Sequence, residues 1–336
     1  MAELPSIDYN RSIPYQWYLH SAGWLPTRWA YGTGPYGSSV GDATFGYDTE
    51  GEELDYYTVA TNNAYCITAY LKSMGWSFEA IMGMCGNIDR EGNYNPGRWE
   101  RQSELGNLNE HGFGLVQWTP PREYVTPARN IWGTEDPFAP YYFNGWYELY
   151  MIASEVFGTP RTQWIEHRAG AGHNPVNLHS RVPAENQPDP PYYNGEYPGE
   201  RDGVPPPAYD FRLSFEQFAK GTIYDSTAPH STPYERIDYL TEAFYWDYEQ
   251  VGDYPMYVNQ ETGVWWGQDQ TLARRKNQAR AMYDRLLPFF GNFTSTQVKR
   301  PTVIGPDFTI HDIVQPQSTQ SKLIYYIRPW WQRIGR

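Results

Sequence analysis

The stretch NIDREGNYNPGRWE, residues 87–100, sets one glutamate, Glu91, between an apolar run (AIMGMCGNI) and a turn-rich one (NYNPG). Ile81, Met84, Ile88 and Glu91 stand three, four and three residues apart, which puts them on one face of a helix. If Ile81 and Ile88 face a core, Glu91 leaves that face at the last turn, at the rim of whatever the core meets. Partial burial and the negative end of the helix dipole both favour the protonated carboxyl group there. That is what a general acid working near neutral pH requires. Gly83 and Gly86 open the helix to close packing that would hold the acid rigidly, while Arg90 and Arg98 are nearby cations that would oppose protonation. On residue types alone, a solvated helix end and a proton donor both fit the position.

Few other side chains combine into a chemical site. His167, His173 and His179 lack metal-ligand spacing, and HRAGAGH lacks the i, i+4 pair of a zincin helix, so no metal or cofactor is expected. Cys66 and Cys85 fall inside apolar helical patterns and read as buried thiols rather than a disulfide. The glycines of GFGLV make no nucleotide fingerprint.

The elements that must position Glu91 follow from periodicity and caps. Ile67, Tyr70, Leu71 and Met74 form an apolar stripe on a helix starting near Asn62 and ended by Gly75. Ser77 is an N-cap for the second helix, with Glu79 in its first turn and Gly92 suited to a left-handed C-cap. A polar loop follows, then the short apolar GFGLVQWTP. Further helices are expected near 143–157, in SFEQFAKG, in TPYERIDYLTEAFYWDYEQ with Pro233 in its first turn, and over about 269–289. The proline-rich stretch 168–210 reads as a long surface insertion. The predicted organisation is an extended arm over 1–57, a helical domain over 58–290 carrying that insertion, and an extended basic tail over 291–336.

The 336 residues are enough to bury a core, and 40% apolar with 17% aromatic content excludes wholesale disorder. Thirty tyrosines and 14 tryptophans suit carbohydrate or protein contact, since a flat apolar ring with a polar edge serves both. A net charge of −13 argues against general nucleic-acid binding. The charge is uneven: residues 1–57 hold eight acids against Arg11 and Arg28, whereas 291–336 hold six bases against Asp307 and Asp312. An acidic start and a basic, aromatic end (IYYIRPWWQRIGR) suggest docking to neighbouring proteins. No apolar run approaches the ~20 residues of a membrane helix. MAELPSIDYN has no signal-peptide character, so a soluble protein that is not exported by itself is expected.

Residues 61–120 resemble the phage tail lysozyme family, wall-degrading domains at the tail tips of short-tailed phages. The resemblance rests on AYLKSMGWSFEAIMGMCGNIDREGNYNPG and GFGLVQWTP. The same order is similar, more distantly, to goose-type lysozymes and lytic transglycosylases, where a catalytic glutamate precedes Asn-Pro and a Gly-Leu-Met-Gln stretch lines the sugar cleft. Glu91, Asn95, Pro96, Gly114, Leu115 and Gln117 match those positions, and Gly92 departs from the serine these families commonly carry.

The resemblance implies a mainly α, lysozyme-like domain with irregular insertions and extended arms. It also implies cleavage of the β-1,4 bond between N-acetylmuramic acid and N-acetylglucosamine, with Glu91 protonating the leaving oxygen. A second carboxylate would stand about 5–5.5 Å away for retention or ~6.5–9.5 Å for inversion. Glu100, Glu104 and Glu110 are the candidates, with Glu104 preferred as the base that orients water. Gln117 and Asn95 would contact the substrate's polar groups, and Trp118, Trp99 and Phe113 would offer apolar surface to sugar rings. The expected partners are peptidoglycan glycan strands and, through the arms, other virion tail or hub proteins. Two alternatives stand beside this reading: an inactive lysozyme scaffold serving as a structural tail protein, and a transglycosylase forming anhydro-muropeptides.

Overall fold

The computed structural model describes residues 24, 46–47, 53–54, 56–92, 94–96, 109, 112–132, 145–158, 164, 209–249, 257–258, 265–266 and 268–304. Most of the expected N-terminal arm, nearly all of the 168–210 insertion and the tail beyond residue 304 lie outside them. So do Arg98, Trp99, Glu100, Glu104, Glu110 and His111.

The described fold is mainly α. Its helices are α1 (Tyr56–Ser73), α2 (Phe78–Gly92), α3 (Arg122–Trp132), α4 (Gly145–Glu155), α5 (Phe215–Ala219), α6 (Pro233–Asp247) and α7 (Gln268–Phe290). Two antiparallel pairs of two-residue strands accompany them: β1 (Gly46–Tyr47) with β2 (Glu53–Leu54), and β3 (Tyr257–Val258) with β4 (Trp265–Trp266).

Helix α1 starts at Tyr56, earlier than its apolar stripe indicated, and stops at Gly75. There Trp76 N–H donates to Leu71 and Gly75 N–H to Lys72 while Gly75 takes φ +81°, a Schellman stop. Helix α2 opens two residues later with Ser77 as its cap, the hydroxyl accepting from Ala80 N–H at 3.2 Å. Capping boxes start α5 at Ser214 and α6 at Thr232, the latter with Pro233 in its first turn.

Helix α2 is buried on nearly every side rather than along a single stripe. It packs chiefly on α6 and α7, with α1 and α5 closing the remainder. Its two interior glycines explain how. A Cβ on Gly83 would lie 2.9 Å from the backbone of Leu240 and Thr241 in α6, and one on Gly86 only 2.3 Å from the Arg275 carbonyl in α7. Both neighbours therefore approach α2 at distances only a bare Cα permits.

On the face of α7 toward α6, Lys276 pairs with Glu242 at 2.5 Å and Arg280 with Asp238, two i, i+4 sets meeting across the α6–α7 seam. The chain leaving α7 runs without regular structure onto the α1–α2 turn, with Phe293 O accepting from Phe78 N–H and Lys299 N–H donating to Met74 O. Val298 and Ile304 are buried there. None of the described helices is long and apolar enough to cross a membrane.

Candidate active site

Glu91 is the penultimate residue of α2, and its side chain is 25% exposed. Its Oε1 is ion-paired with Nη2 of Arg275, a residue 3% exposed on α7. The same guanidinium donates from Nη1 to Asn87 Oδ1 at 2.9 Å, so its fork spans one turn of α2. Asn87 is itself fixed, donating to the Gly83 and Thr241 carbonyls at 2.9 and 3.1 Å. The Tyr245 ring of α6 lies 5.1 Å from the guanidinium carbon. Arg90, one of the two cations near Glu91 noted in the sequence, is exposed.

Glu249 and Asp89 act electrostatically on this pair, and a third acid, Glu155, reaches Tyr248 next to Glu249. Glu249 lies just past α6, where its N–H donates to Phe244 O at 3.1 Å. Its Oε1 is buried with no hydrogen-bond partner among the described residues. Burial and then the charge on Glu91 push the Glu249 carboxyl well above the ordinary carboxylate range, with Arg275 opposing. Asp89 is buried on α2 and pushed up to about 6 by desolvation, against the pull of Arg274, Arg285, Arg90 and Arg275. Glu155, on α4, accepts from Trp118 Nε1 at 2.9 Å and from the Tyr248 hydroxyl at 3.2 Å.

The GFGLVQWTP segment forms a tight hairpin. Phe113 and Trp118 exchange backbone hydrogen bonds at 3.2 and 2.8 Å, with Gly114 at φ +85° and Gln117 at φ +48° in the turn. Two carboxylates of α4 hold it from below. Glu148 Oε2 accepts from Leu115 N–H at 2.8 Å, and Glu155 holds the Trp118 ring. The two acids are seven residues apart, so both leave the same face of α4. Glu148 is fully buried, and that burial pushes its carboxyl well above the ordinary range against the single bond from Leu115.

The hairpin rests on the end of α2. A Cβ on Gly92 would meet the Gly114 and Leu115 carbonyls at 3.1 Å, so the bare Cα lets the turn settle there. Gly92 does not take the left-handed conformation expected of it. Tyr94 does, at φ +58°. Its ring is buried, its hydroxyl donates to Cys85 O at 3.0 Å, and its carbonyl accepts from Asn63 Nδ2 at 3.0 Å. These anchors outweigh the usual cost of that backbone region for a non-glycine residue.

The residues singled out in the sequence are thus brought to one place but differ in what they present. Glu91 reaches the surface, and Gln117 is half-buried with Nε2 donating to Gly114 O at 2.7 Å. Asn95 is buried beside them, its N–H donating to Gly92 O at 2.9 Å. Phe113, Leu115 and Trp118 belong to the core, and Trp118 stacks on Tyr124 with ring centres 5.0 Å apart. Their faces are covered by protein, unlike the open sugar platform expected of Phe113 and Trp118. Cys66 and Cys85 are buried thiols, and burial raises both. Arg275, Glu249, Glu148 and Glu155 carried no signal in the sequence. Each sits in an ordinary helical pattern, far along the chain from Glu91.

Residues 62–136 match the family described as phage tail lysozyme. The resemblance carried by the α2 motif and the hairpin therefore holds over that stretch, which runs from within α1 through α3. A relative is Morphogenesis protein 1 of Bacillus phage B103, 49% identical over 68 residues. That alignment takes in 20% of this chain and 18% of the relative, so the two correspond over less than a fifth of the relative's length.

Proposed function

We propose that this chain is a virion-associated muramidase that cleaves the β-1,4 bond between N-acetylmuramic acid and N-acetylglucosamine during phage entry, with Glu91 as the general acid. The observation that carries the reading is the partly exposed Glu91 carboxylate at the end of α2, set against a hairpin that packs directly on Gly92 within the tail-lysozyme match. A glycan strand lying along the rim brings its scissile oxygen to Glu91, and Gln117 and Asn95 meet its polar groups. Glu104, in the loop after α2, is the proposed base that orients the attacking water. The division into an arm (1–57), a lysozyme-like domain (58–290) and a docking tail (291–336) belongs to the same proposal, the two ends binding other tail proteins.

The test is digestion of purified cell walls by the wild-type protein and Glu91→Gln, followed by mass spectrometry of the soluble fragments. Wild type should release reducing muropeptides, and the variant should lose activity by on the order of a hundredfold or more. Anhydro ends would assign the transglycosylase route instead. Equal clearance by both proteins would remove Glu91 from the chemistry, and clearance by neither would leave a structural scaffold.

A further inference from the structure

Two buried polar atoms beside Glu91 stand unpaired among the described residues: Arg275 Nε, a donor, and Glu249 Oε1, an acceptor when ionised. Each belongs to a residue already tied electrostatically to Glu91. A buried donor and a buried oxygen without partners are each costly, so such a pair calls for an explanation. A neutral Glu249 lessens the penalty on its oxygen, because burying a carboxylic acid costs far less than burying a carboxylate. The resting trio is then a Glu91–Arg275 ion pair beside a protonated Glu249. The side chain that must donate a proton is there an acceptor, receiving from Arg275 Nη2.

We propose that Glu249 is the proton reservoir of the site, passing its proton to Glu91 as Arg275 transfers its ion pair from Glu91 to Glu249. The inference rests on the muramidase reading above. In the exchange the O–H bond of Glu249 breaks and an O–H bond on Glu91 forms. The trio's net charge stays at zero, and no proton is drawn from solvent.

In the exchanged state an ionised Glu249 offers Arg275 Nε the kind of partner it lacks at rest. Asn87 and the Tyr245 ring hold the guanidinium meanwhile. A glycan at the rim favours the exchange by displacing water from Glu91, which raises the cost of its charge. After cleavage, the proton of the attacking water, taken up by Glu104, passes to solvent, and one proton from solvent restores Glu249.

The described groups tied electrostatically to the trio are Asp89 on α2, which feels Arg275 together with Arg274, Arg285 and Arg90, and, at the end of α6, Tyr245 against Arg275 and Tyr248 beside Glu249. Tyr248 is held neutral by burial and by the neighbouring carboxylates Glu155 and Glu249. Asp89 changes charge in a range of its own and is controlled by Asp89→Asn.

The test uses the full chain. Infrared difference spectra between wild type and Glu249→Gln near neutral pH should show a carboxylic-acid carbonyl band that the substitution removes. Glu91→Gln should make that band titrate at lower pH, because the charge that helps to hold the proton on Glu249 is gone. In wall digestion, Glu249→Gln should lose on the order of tenfold or more near pH 8 and recover toward acid pH, where solvent protonates Glu91 directly.

A band that is absent, or that does not move in Glu91→Gln, overturns the proposal. So does a Glu249→Gln loss that is the same at every pH, which is the mark of a structural role. Active wild type with a fully active Glu249→Gln sinks this inference alone. Wild type inactive on walls sinks the muramidase reading, and the infrared arms still decide where the proton sits.

Discussion

Replacing Gly86 by alanine adds one methyl group at the crossing of α2 and α7. That methyl would lie 2.3 Å from the Arg275 carbonyl oxygen and 2.8 Å from the Ala279 Cβ, where ordinary contact begins near 3.4 Å. The shortfall is about 1 Å, and the nearest atom is backbone, so no flexible side chain can absorb it. Helix α7 must back away, or α2 must rotate. Overpacking of this kind costs about 1–3 kcal/mol, and a rigid backbone neighbour places this case at the upper end. A melting temperature lowered by about 2–4 °C per kcal/mol should follow in a chain of this size. Because the displaced residue is the one that pairs with Glu91, wall digestion should also fall, beyond what the lost stability explains at a temperature where the variant is folded. Gly83→Ala, whose methyl meets α6 at 2.9 Å, should cost less. The reasoning is refuted if Gly86→Ala melts with the wild type in calorimetry, since the close crossing would then not exist.

Asp89→Asn should stabilise the protein at neutral and alkaline pH. The Asp89 carboxyl is raised from 3.8 to about 6, so its contribution to stability is fully present below 3.8 and is lost as pH rises through about 6. Removing the charge should recover up to about 3 kcal/mol above that range and almost nothing near pH 4, as read from urea unfolding at the two pH values. At Glu148, the isosteric Gln keeps an acceptor for Leu115 N–H and should change stability by less than about 1 kcal/mol. Glu148→Ala orphans that donor and opens a cavity, costing roughly 2–5 kcal/mol and loosening the hairpin, as followed by amide hydrogen exchange at Leu115.

What the sequence made legible was local. The Ser77 cap, the Gly75 stop, Pro233 at the start of α6 and Glu91 in the last turn of α2 each depend on residues within a few positions of one another. The two glycines of α2 also announced close packing, though not which helices would use it. The single buried stripe expected for α2 became burial on almost all sides, because packing against four helices is a property of the whole chain. The left-handed position moved from Gly92 to Tyr94 for a similar reason. Asn63 and Cys85 hold Tyr94 from other elements, and tertiary anchors override a glycine's local preference. Arg275 lies 184 positions from Glu91, and nothing in the periodicity of α7 separates it from Arg274 or Lys276. Glu148 and Glu155 read as ordinary polar residues until α4 is seen beneath the hairpin.

The stretch that matches known tail lysozymes ends at residue 136, while the groups that touch and orient its acid and hairpin come from α4, α6 and α7. The recognisable part is therefore not an interchangeable cartridge. Grafted into another tail protein, residues 62–136 would bring the glutamate and the turn but leave behind the arginine, the buried acids and the two helices that press against bare glycine backbone. Lineages that exchange such modules by recombination would be expected to keep functional crossovers outside the span from α1 to the end of α7, and to lose activity wherever a breakpoint falls inside it.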